Sequence, residues 1–454
     1  MSDSSLATRL ARYAHDLTYD DLDETTVDRV KDRLLDSLAC AYAAMDEPPV
    51  RQTLAVAERK SGETPASIIG GGTSSMDHAA LANGVLIRYL DWNDTYLSKE
   101  PGHPSDNLGA ILAVSDAVDA SGRETILATA LAYELQCRLC DAASLRTHGF
   151  DHVNYGLVSA TLAVAKLMDL SVETMTHAVN VAVNAHVALR QARAGELSEW
   201  KGMAFGNVDR NAVVAAELAR EGINGPAPIF EGEFGFFEQV SGEFDVDIES
   251  FGGREGTFKI NETYVKFYPV EYHAQAAVNC VFALLEDHDI AVEDIERIEN
   301  ETYEAGVSII ASGDKKWRPT TRETADHSMP YCVARAFLDG EMTLVQFAEE
   351  KLTDPAVHDL MDRIEVTENE AFTERYGETF PHRMVVHTDE DTYECEREYP
   401  KGHYENPLSD AELEAKFATG AEGRLDEGEQ ADVLAAIRSL ETTDDMSVLF
   451  DQLD

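Results

Sequence analysis

The polar segment at residues 91–107 is the densest group of side chains in this sequence that could carry out acid–base chemistry. Asp91 and Asp94 lie near its start, and His103 lies further along, between a glycine and a proline. Histidine changes its charge near neutral pH, and its two neighbours restrict the backbone, so His103 is a candidate for proton transfer. The same residue types form ordinary capped loops between helices, so composition alone leaves both interpretations open.

A second histidine and a group of cations follow along the chain. His152 ends the run HGFDH at the start of a predicted helix, where a surface or capping role is the plainer interpretation. Arg190, Arg193 and Lys201 form the other group, and Lys201 is one of two lysines between residues 100 and 258. A cation placed so sparingly is a candidate for binding a substrate carboxylate, with a surface ion pair as the alternative.

Lys266 and His273 lie at the predicted junction of two domains, and clefts between domains are preferred ligand sites. Ser328 and Tyr331 are further polar candidates in the second domain. On these residues alone we expect an enzyme in which histidines and Lys or Arg side chains converge between two domains.

The elements that must position these residues are mostly helical. Ala-rich apolar segments with helical spacing fill residues 1–45 and 76–224, and nothing alternates with them as strands would. From residue 256 the pattern changes to short segments with alternation or β-branched residues, separated by helical stretches. These segments are GTFKI at 256–260, RIENETY at 297–303, RIEVTE at 363–368, RMVVHT at 383–388 and TYECEREY at 392–399.

These patterns predict a mainly α protein, with a large all-helical domain and a second, smaller α+β lid domain. We expect the first part of the large domain at residues 1–263, the lid at 264–402 and a helical return to the large domain at 403–454. Ser409 and Glu412 predict a capping box at the start of that return.

The charge balance excludes some partners. Asp and Glu number 85 and Lys and Arg 37, which gives a formal net charge of -48. Nucleic acid and an anionic membrane surface are therefore poor partners. The basic residues are 12 Lys and 25 Arg, and a chain so acidic and so poor in Lys is typical of a salt-rich cytoplasm. No apolar run of about 18 residues and no secretory leader is present, so a cytoplasmic protein is expected.

Cofactor motifs are missing from the sequence. Of six cysteines, Cys137 and Cys140 form a CxxC, but it lies within one predicted helix and has no partner motif, so buried thiols are expected. Gly70–Gly72 predicts a loop without the Lys-Ser/Thr of a phosphate-binding loop. No HExxH or GxGxxG occurs, although scattered Asp and His leave a metallohydrolase open on spacing alone.

At YLDWNDTYLSKEPGHPSDNLGAIL, residues 89–112, the chain resembles the MmgE/PrpD family. Several other runs fit the same family in order, so the resemblance covers almost the whole chain. They are LANG at 81–84, GFDHV at 149–153, WKGMAFGNVDRNAVVAAELAREGINGP at 200–226, VKFYPVEYH at 265–273 and YPKGHYENPLSDAELEAKF at 399–417.

The resemblance implies an active site between the helical domain and the lid, no metal or other cofactor, and a homodimer. It implies a hydro-lyase that dehydrates the tricarboxylate 2-methylcitrate to 2-methyl-cis-aconitate, with citrate, which would give cis-aconitate, as a second candidate substrate. The family's catalytic positions fall on Asp91, His103, His152 and His273. Its substrate-binding positions fall on Thr95, Lys201 and Lys266, with Arg190, Arg193 and Tyr331 as further candidates.

The expected roles follow from the reaction. A weakly acidic C–H proton must be removed and hydroxide expelled, and the charge that develops beside a carboxylate needs fixed cations. We expect His103 to be the acid–base group and Asp91 to orient it or the substrate hydroxyl. His152 and His273 could supply the second proton transfer or a hydrogen bond.

Besides the metallohydrolase, two alternatives stay open. One is a lyase that resembles cis-aconitate decarboxylase, whose branch lacks the Asp-Asn that this chain has at Ser105-Asp106-Asn107. The other is a non-catalytic protein that binds tricarboxylates.

Overall fold

The computed structural model describes residues 4–194 and 197–453, and it confirms a mainly α chain with a smaller α+β part. The chain divides into two compact units. The helical unit comprises the residues up to Thr263 and from Ser409 onward, and the α+β unit comprises Tyr264–Leu408.

Long helices form the first part of the helical unit. Their caps follow the sequence: Ser121 and Glu124, for example, form a capping box at the start of α6. The helices are α1 (Leu6–Asp16), α2 (Glu24–Ala44), α3 (Pro48–Ala57), α4 (Met76–Arg88), α5 (Leu108–Ala117), α6 (Gly122–Ala142), α7 (Gly156–Leu167), α8 (Val172–His186) and α9 (Trp200–Arg220). Among the described residues, none of these or the later helices is long and apolar enough to cross a membrane.

Small residues let α4 and α9 pack closely. A Cβ atom on Gly84 of α4 would lie 2.8 Å from the Cα of Gly206 in α9, a distance that side chains do not tolerate. The Ala- and Gly-rich sequence therefore brings the C-terminal end of α4 beside the start of α9, and these two helices carry Arg88 and Lys201.

A short antiparallel hairpin joins α3 to α4. It consists of β1 (Pro65–Ser67) and β2 (Thr73–Ser75), and Gly70–Gly72 lie in the predicted loop between them. All three glycines have positive φ angles of 84°, 107° and 86°, which explains why glycine is used there.

The α+β unit contains one four-stranded sheet in the order β4-β3-β5-β6, with β3 and β4 parallel and the other pairs antiparallel. The apolar faces of α10 and α14 pack in the core beside this sheet. The strands are β3 (Ile295–Thr302), β4 (Ile364–Glu368), β5 (His382–Thr388) and β6 (Thr392–Arg397). The helices are α10 (Tyr272–Asp287), α11 (Glu304–Ile310), α12 (Asp314–Trp317), α13 (Arg322–Ala325), α14 (Met329–Asp339), α15 (Glu349–Leu352), α16 (Pro355–Met361) and α17 (Glu370–Thr373).

One predicted strand is wrong. GTFKI at 256–260 belongs to the helical unit, where it forms a loop that runs into a 3-10 turn at Lys259–Glu262. The reason is a tertiary contact: the backbone N–H of Lys259 donates to Oε2 of buried Glu134 in α6 at 2.6 Å. A buried carboxylate thus replaces the strand partner that the alternation suggested.

The chain returns to the helical unit in α18 (Asp410–Ala421), α19 (Glu427–Arg438) and α20 (Ser447–Phe450). The predicted capping box of Ser409 and Glu412 is present. Lys416 of α18 is buried, pairs with Asp36 of α2 and donates to the backbone carbonyl of Trp92 at 2.9 Å. The return therefore supports the polar segment that follows α4.

All six cysteines are buried free thiols, as expected, and Cys137 and Cys140 lie inside α6.

Candidate active site

Asp91 holds the first group of predicted site residues together. It follows the end of α4 with a φ of 54°, in the left-handed region that non-glycine residues seldom occupy. Arg88 donates from Nη1 to Asp91 Oδ1 at 2.7 Å, and Lys201 donates from Nζ to Oδ2 at 3.1 Å. Two cations from two helices thus meet one carboxylate at a position of uncommon backbone conformation.

His103 is oriented from the Nδ1 side of its ring. Nδ1 lies 2.7 Å from the backbone carbonyl oxygen of Asp94, and a carbonyl oxygen only accepts, so Nδ1 carries the hydrogen. Nε2 lies 4.0 Å from Asp91 Oδ1. The Asp94 side chain accepts from the backbone N–H of Ser105 at 3.0 Å, which fixes the turn around His103. In the neutral ring the lone pair is therefore on Nε2.

Asp106 is a second carboxyl group beside Arg88. Its Oδ2 lies 3.5 Å from Arg88 Nε, and its Oδ1 accepts from Asn93 Nδ2 at 2.8 Å. Burial raises the pKa of Asp106 to about 7, against the lowering effect of Arg88. Arg88 is itself 2% exposed, so this guanidinium is a buried positive charge between two acids.

His152 lies against His103, with their ring centroids 5.6 Å apart. It is buried, and burial, followed by the charge of Arg193, lowers the pKa of His152 to about 3. Its Nε2 lies 3.6 Å from Asp151 Oδ1, while Asp151 Oδ2 accepts from Arg193 Nε at 3.0 Å. His152 is thus neutral at pH 7. Asp151 contacts both His152 and Arg193 and so connects the two side chains.

We call Arg88, Asp91, His103, Asp106, His152 and Lys201 the Asp91 cluster. Thr95 supports it, since its hydroxyl donates to the carbonyl oxygen of Gly102 at 3.2 Å, one residue before His103. Arg190 contributes less: its backbone N–H donates to Gly149 at 2.9 Å, and its side chain forms no ion pair with the residues that the structure describes.

In the α+β unit, His273 is the second residue of α10 and is 5% exposed. Its Nδ1 lies 2.6 Å from the hydroxyl oxygen of Tyr303, and its Nε2 lies 3.8 Å from Glu271 Oε1. The Tyr303 ring stacks on Tyr376 with centroids 4.5 Å apart. We call Glu271, His273, Tyr303 and Tyr376 the His273 cluster.

Lys266 and Tyr331 are the other two predicted site residues of this unit, and their surroundings differ. Lys266 is almost fully buried, at 2% exposure, seven residues before His273 in the sequence. Tyr331 lies in the apolar core, and its hydroxyl donates to the carbonyl oxygen of Gln346 at 2.5 Å. Ser328 caps α14. The structure thus gives Tyr331 and Ser328 contacts that stabilise the unit and does not bring Tyr331 to the His273 cluster.

Three residues that contribute most to the geometry were missed in the sequence. Arg88 could have been found, because it is a cation only three residues before Asp91 and so lies within reach of that carboxylate. Asp106 lies in the polar segment at residues 91–107, but it is not among the predicted catalytic or binding residues. Tyr303 is 30 residues from His273, and no local pattern connects the two.

No set of three or more His, Cys, Asp or Glu side chains in residues 4–194 and 197–453 is arranged to hold a metal ion.

Comparison with known protein families gives matches to both parts of the chain. The MmgE/PrpD N-terminal domain matches residues 8–249, and the MmgE/PrpD C-terminal domain matches residues 268–442.

Individual relatives match over most of their length. A 2-methylcitrate dehydratase of Escherichia coli strain K12 is 31% identical, over 82% of this chain and 80% of its own. The 2-methylcitrate dehydratase of Cupriavidus necator is 30% identical, over 90% of this chain and 88% of its own. A fungal alkylcitrate dehydratase is 29% identical, over 92% of this chain and 88% of its own.

Proposed function

Because the chain belongs to the MmgE/PrpD family, we propose that it is a hydro-lyase that dehydrates 2-methylcitrate to 2-methyl-cis-aconitate. Citrate, which lacks one methyl group, is the expected second substrate. The observation that carries the proposal is the setting of His103, whose Nδ1 is tied to the Asp94 carbonyl and whose Nε2 faces Asp91 across 4.0 Å. A proton acceptor is thereby held beside a carboxylate that two cations neutralise.

In the proposed reaction His103 removes the proton from carbon with the Nε2 lone pair. The electrons of the C–H bond form the double bond, and the C–O bond breaks with its electron pair on oxygen. The His103 imidazolium, stabilised by Asp91, then gives the proton to the departing hydroxide, so water leaves and His103 returns to its neutral state. We assign this proton to His103 and not to His152, because burial lowers the pKa of His152 to about 3.

The charges of the Asp91 cluster favour an anionic substrate. Arg88 and Lys201 carry two positive charges and Asp91 carries one negative charge, while the raised pKa of Asp106, about 7, keeps that group partly neutral. The cluster is thus positive within a protein of net charge -48. We propose that Lys201 turns from Asp91 to a substrate carboxylate, and that Lys266 and Arg193 bind the others.

No metal is required in this scheme, since the fixed cations supply the charge stabilisation. We also propose that the protein is a homodimer, as the resemblance implies, which light scattering coupled to size-exclusion chromatography would test.

A product assay tests the proposal. The purified protein is given 2-methylcitrate, citrate or cis-aconitate, and products are separated by chromatography and identified by mass. The expected result is loss of water from 2-methylcitrate and, more slowly, from citrate. Release of CO₂ from cis-aconitate as the main reaction would make the protein a decarboxylase, and binding of all three without turnover would make it a tricarboxylate-binding protein.

A further inference from the structure

Two histidines of the predicted site, His103 of the helical unit and His273 of the α+β unit, have different partners on the same ring nitrogen. His103 Nδ1 meets the Asp94 carbonyl oxygen at 2.7 Å, and His273 Nδ1 meets the Tyr303 hydroxyl at 2.6 Å. In a neutral imidazole one nitrogen carries the hydrogen and the other carries a lone pair. The partner on Nδ1 therefore decides whether Nε2 presents a hydrogen or a lone pair.

For His103 the partner is unambiguous. A carbonyl oxygen has no hydrogen to give, so Nδ1–H donates and Nε2 has the lone pair.

For His273 the burial of Tyr303 decides. Tyr303 is 2% exposed, and in the described part of the chain His273 Nδ1 is the hydrogen-bond partner of its hydroxyl. If Nδ1 carried a hydrogen, the phenol oxygen would accept it and the phenol hydrogen would be buried without an acceptor, which is unfavourable. The favoured arrangement is Tyr303 O–H donating to Nδ1, which leaves the hydrogen on Nε2. The carboxylate of Glu271, 3.8 Å from Nε2, favours the same arrangement.

We propose that their Nδ1 partners hold the two histidines in opposite tautomers, so that His103 presents a proton acceptor at Nε2 and His273 presents a hydrogen-bond donor. Tyr303 is then a positioning residue, which acts on the substrate only through His273. The catalytic roles of the two tautomers rest on the proposed function, in which His103 takes the proton and the Nε2–H of His273 donates to a substrate oxygen. The tautomers themselves do not depend on it.

Nitrogen NMR of protein labelled with ¹⁵N-histidine measures the tautomers directly, because protonated and unprotonated ring nitrogens have different shifts. The spectra are recorded at about pH 8, above the ordinary histidine pKa of about 6.5. Resonances of His103 and His273 are assigned from their loss in His103→Gln and His273→Gln. We expect the hydrogen on Nδ1 in His103 and on Nε2 in His273. The same tautomer in both residues would overturn the proposal.

Tyr303→Phe tests the positioning role, and Tyr272→Phe is its matched control. Both remove one buried hydroxyl from the same aromatic region, but the Tyr272 hydroxyl has no hydrogen-bond partner among the described residues. Tyr303→Phe should move the His273 hydrogen toward Nδ1 or give a mixture of tautomers, and Tyr272→Phe should leave it on Nε2. An unchanged His273 spectrum in folded Tyr303→Phe would assign Tyr303 a purely structural role and reject the proposal.

Activity supplies a separate readout. Glutamine can place an N–H near the position of Nε2, and asparagine can place one near Nδ1. His273→Gln should therefore keep about tenfold more kcat than His273→Asn, which corresponds to about 1.4 kcal/mol. Equal losses in the two variants would contradict a donor role at Nε2. If the tautomers are as proposed but no tricarboxylate is turned over, the proposed function fails while the tautomer assignment stands.

Discussion

Several charged side chains surround His103 in the Asp91 cluster, whereas the His273 cluster combines aromatic side chains with a single carboxylate, that of Glu271. Around His103 lie Asp91, Arg88 and Lys201, joined by ion pairs at 2.7 and 3.1 Å. Around His273 lie Tyr303 and Tyr376, with ring centroids 5.3 and 5.9 Å from the imidazole.

The difference between the clusters indicates which chemical role each histidine can have. A group that gains and loses a full charge during a reaction needs compensating charges nearby, and the Asp91 cluster supplies them. A group that only donates a hydrogen bond needs a fixed orientation and a protected hydrogen, which stacked aromatic rings and one phenol supply. The proposed division of roles between His103 and His273 thus agrees with their surroundings.

The largest expected effect is that of His103→Ala. If His103 moves the proton, kcat for 2-methylcitrate falls by about 100-fold or more, while substrate binding changes little. The measurement is a steady-state assay that separates kcat from KM. His148→Ala, which removes an exposed histidine of the same unit, is the control and should retain full activity. A near-normal kcat in His103→Ala would place the acid–base group elsewhere and remove the basis of the comparison.

The second largest effect is expected from Lys201→Ala. A charge-assisted hydrogen bond contributes about 1.5–3 kcal/mol, so KM should rise about tenfold or more, with a smaller fall in kcat. Lys201→Arg should recover part of the affinity because it retains the charge. Lys166→Ala removes the other lysine of this part of the chain, whose Nζ donates to the carbonyl oxygen of His15, and should leave KM unchanged. If Lys201→Ala changed kcat alone, Lys201 would act in the chemical step and not in binding.

How far the sequence predicts these clusters depends on the range of the interactions. Strands β3 to β6 follow from alternation, because the period of two is set locally, and the helices follow from apolar spacing and caps. His103 and Lys201 stand out by residue type and by sparse placement. Tyr303 does not, because it lies 30 residues from His273 and only the folding of the α+β unit brings the two side chains together. The failed strand GTFKI has the same cause, since its partner is Glu134, far away in the sequence.

A third prediction concerns pH and the stability of the charged cluster. Burial raises the pKa of Asp106 to about 7, so the folded state holds this proton more tightly than the unfolded state does. Stability from Asp106 is therefore complete below about pH 4 and is lost as pH rises to about 7, by roughly 4 kcal/mol at 1.36 kcal/mol for each pH unit.

Asp106→Asn should remove this dependence. Its melting temperature relative to the natural protein should rise between about pH 5 and pH 8, because the natural protein loses stability over that range. Asp444→Asn, at an exposed carboxyl group of the same unit, is the control and should show no such trend. A melting-temperature difference that stayed constant with pH would show that Asp106 is already ionised at pH 5.

A fourth, smaller effect is expected from salt, which acts on charges and not on stacked rings. Screening shortens from about 10 Å at 0.1 M salt to about 3 Å at 1 M, so self-repulsion in a protein of net charge -48 should weaken. Between about 0.1 and 3 M KCl the melting temperature should rise, and KM should not increase steadily, since only local cations would still be felt by the substrate. A melting temperature that falls with salt, with activity best near 0.1 M, would show that the acidity has another purpose.

The smallest expected effect is that of metal removal. The charge that develops on the substrate is balanced in our scheme by Arg88 and Lys201, and residues 4–194 and 197–453 offer no group of three metal-ligating side chains. Exhaustive dialysis against a chelator should therefore leave kcat and KM unchanged, and added zinc, iron or magnesium should not raise activity. Elemental analysis of the active protein is the accompanying measurement. A metal bound in a one-to-one ratio, whose removal abolishes turnover and whose return restores it, would mean that the Asp91 cluster binds a metal ion in place of part of the charge we assign to Arg88 and Lys201. The contrast in charge between the Asp91 cluster and the His273 cluster would then have to include the metal ion.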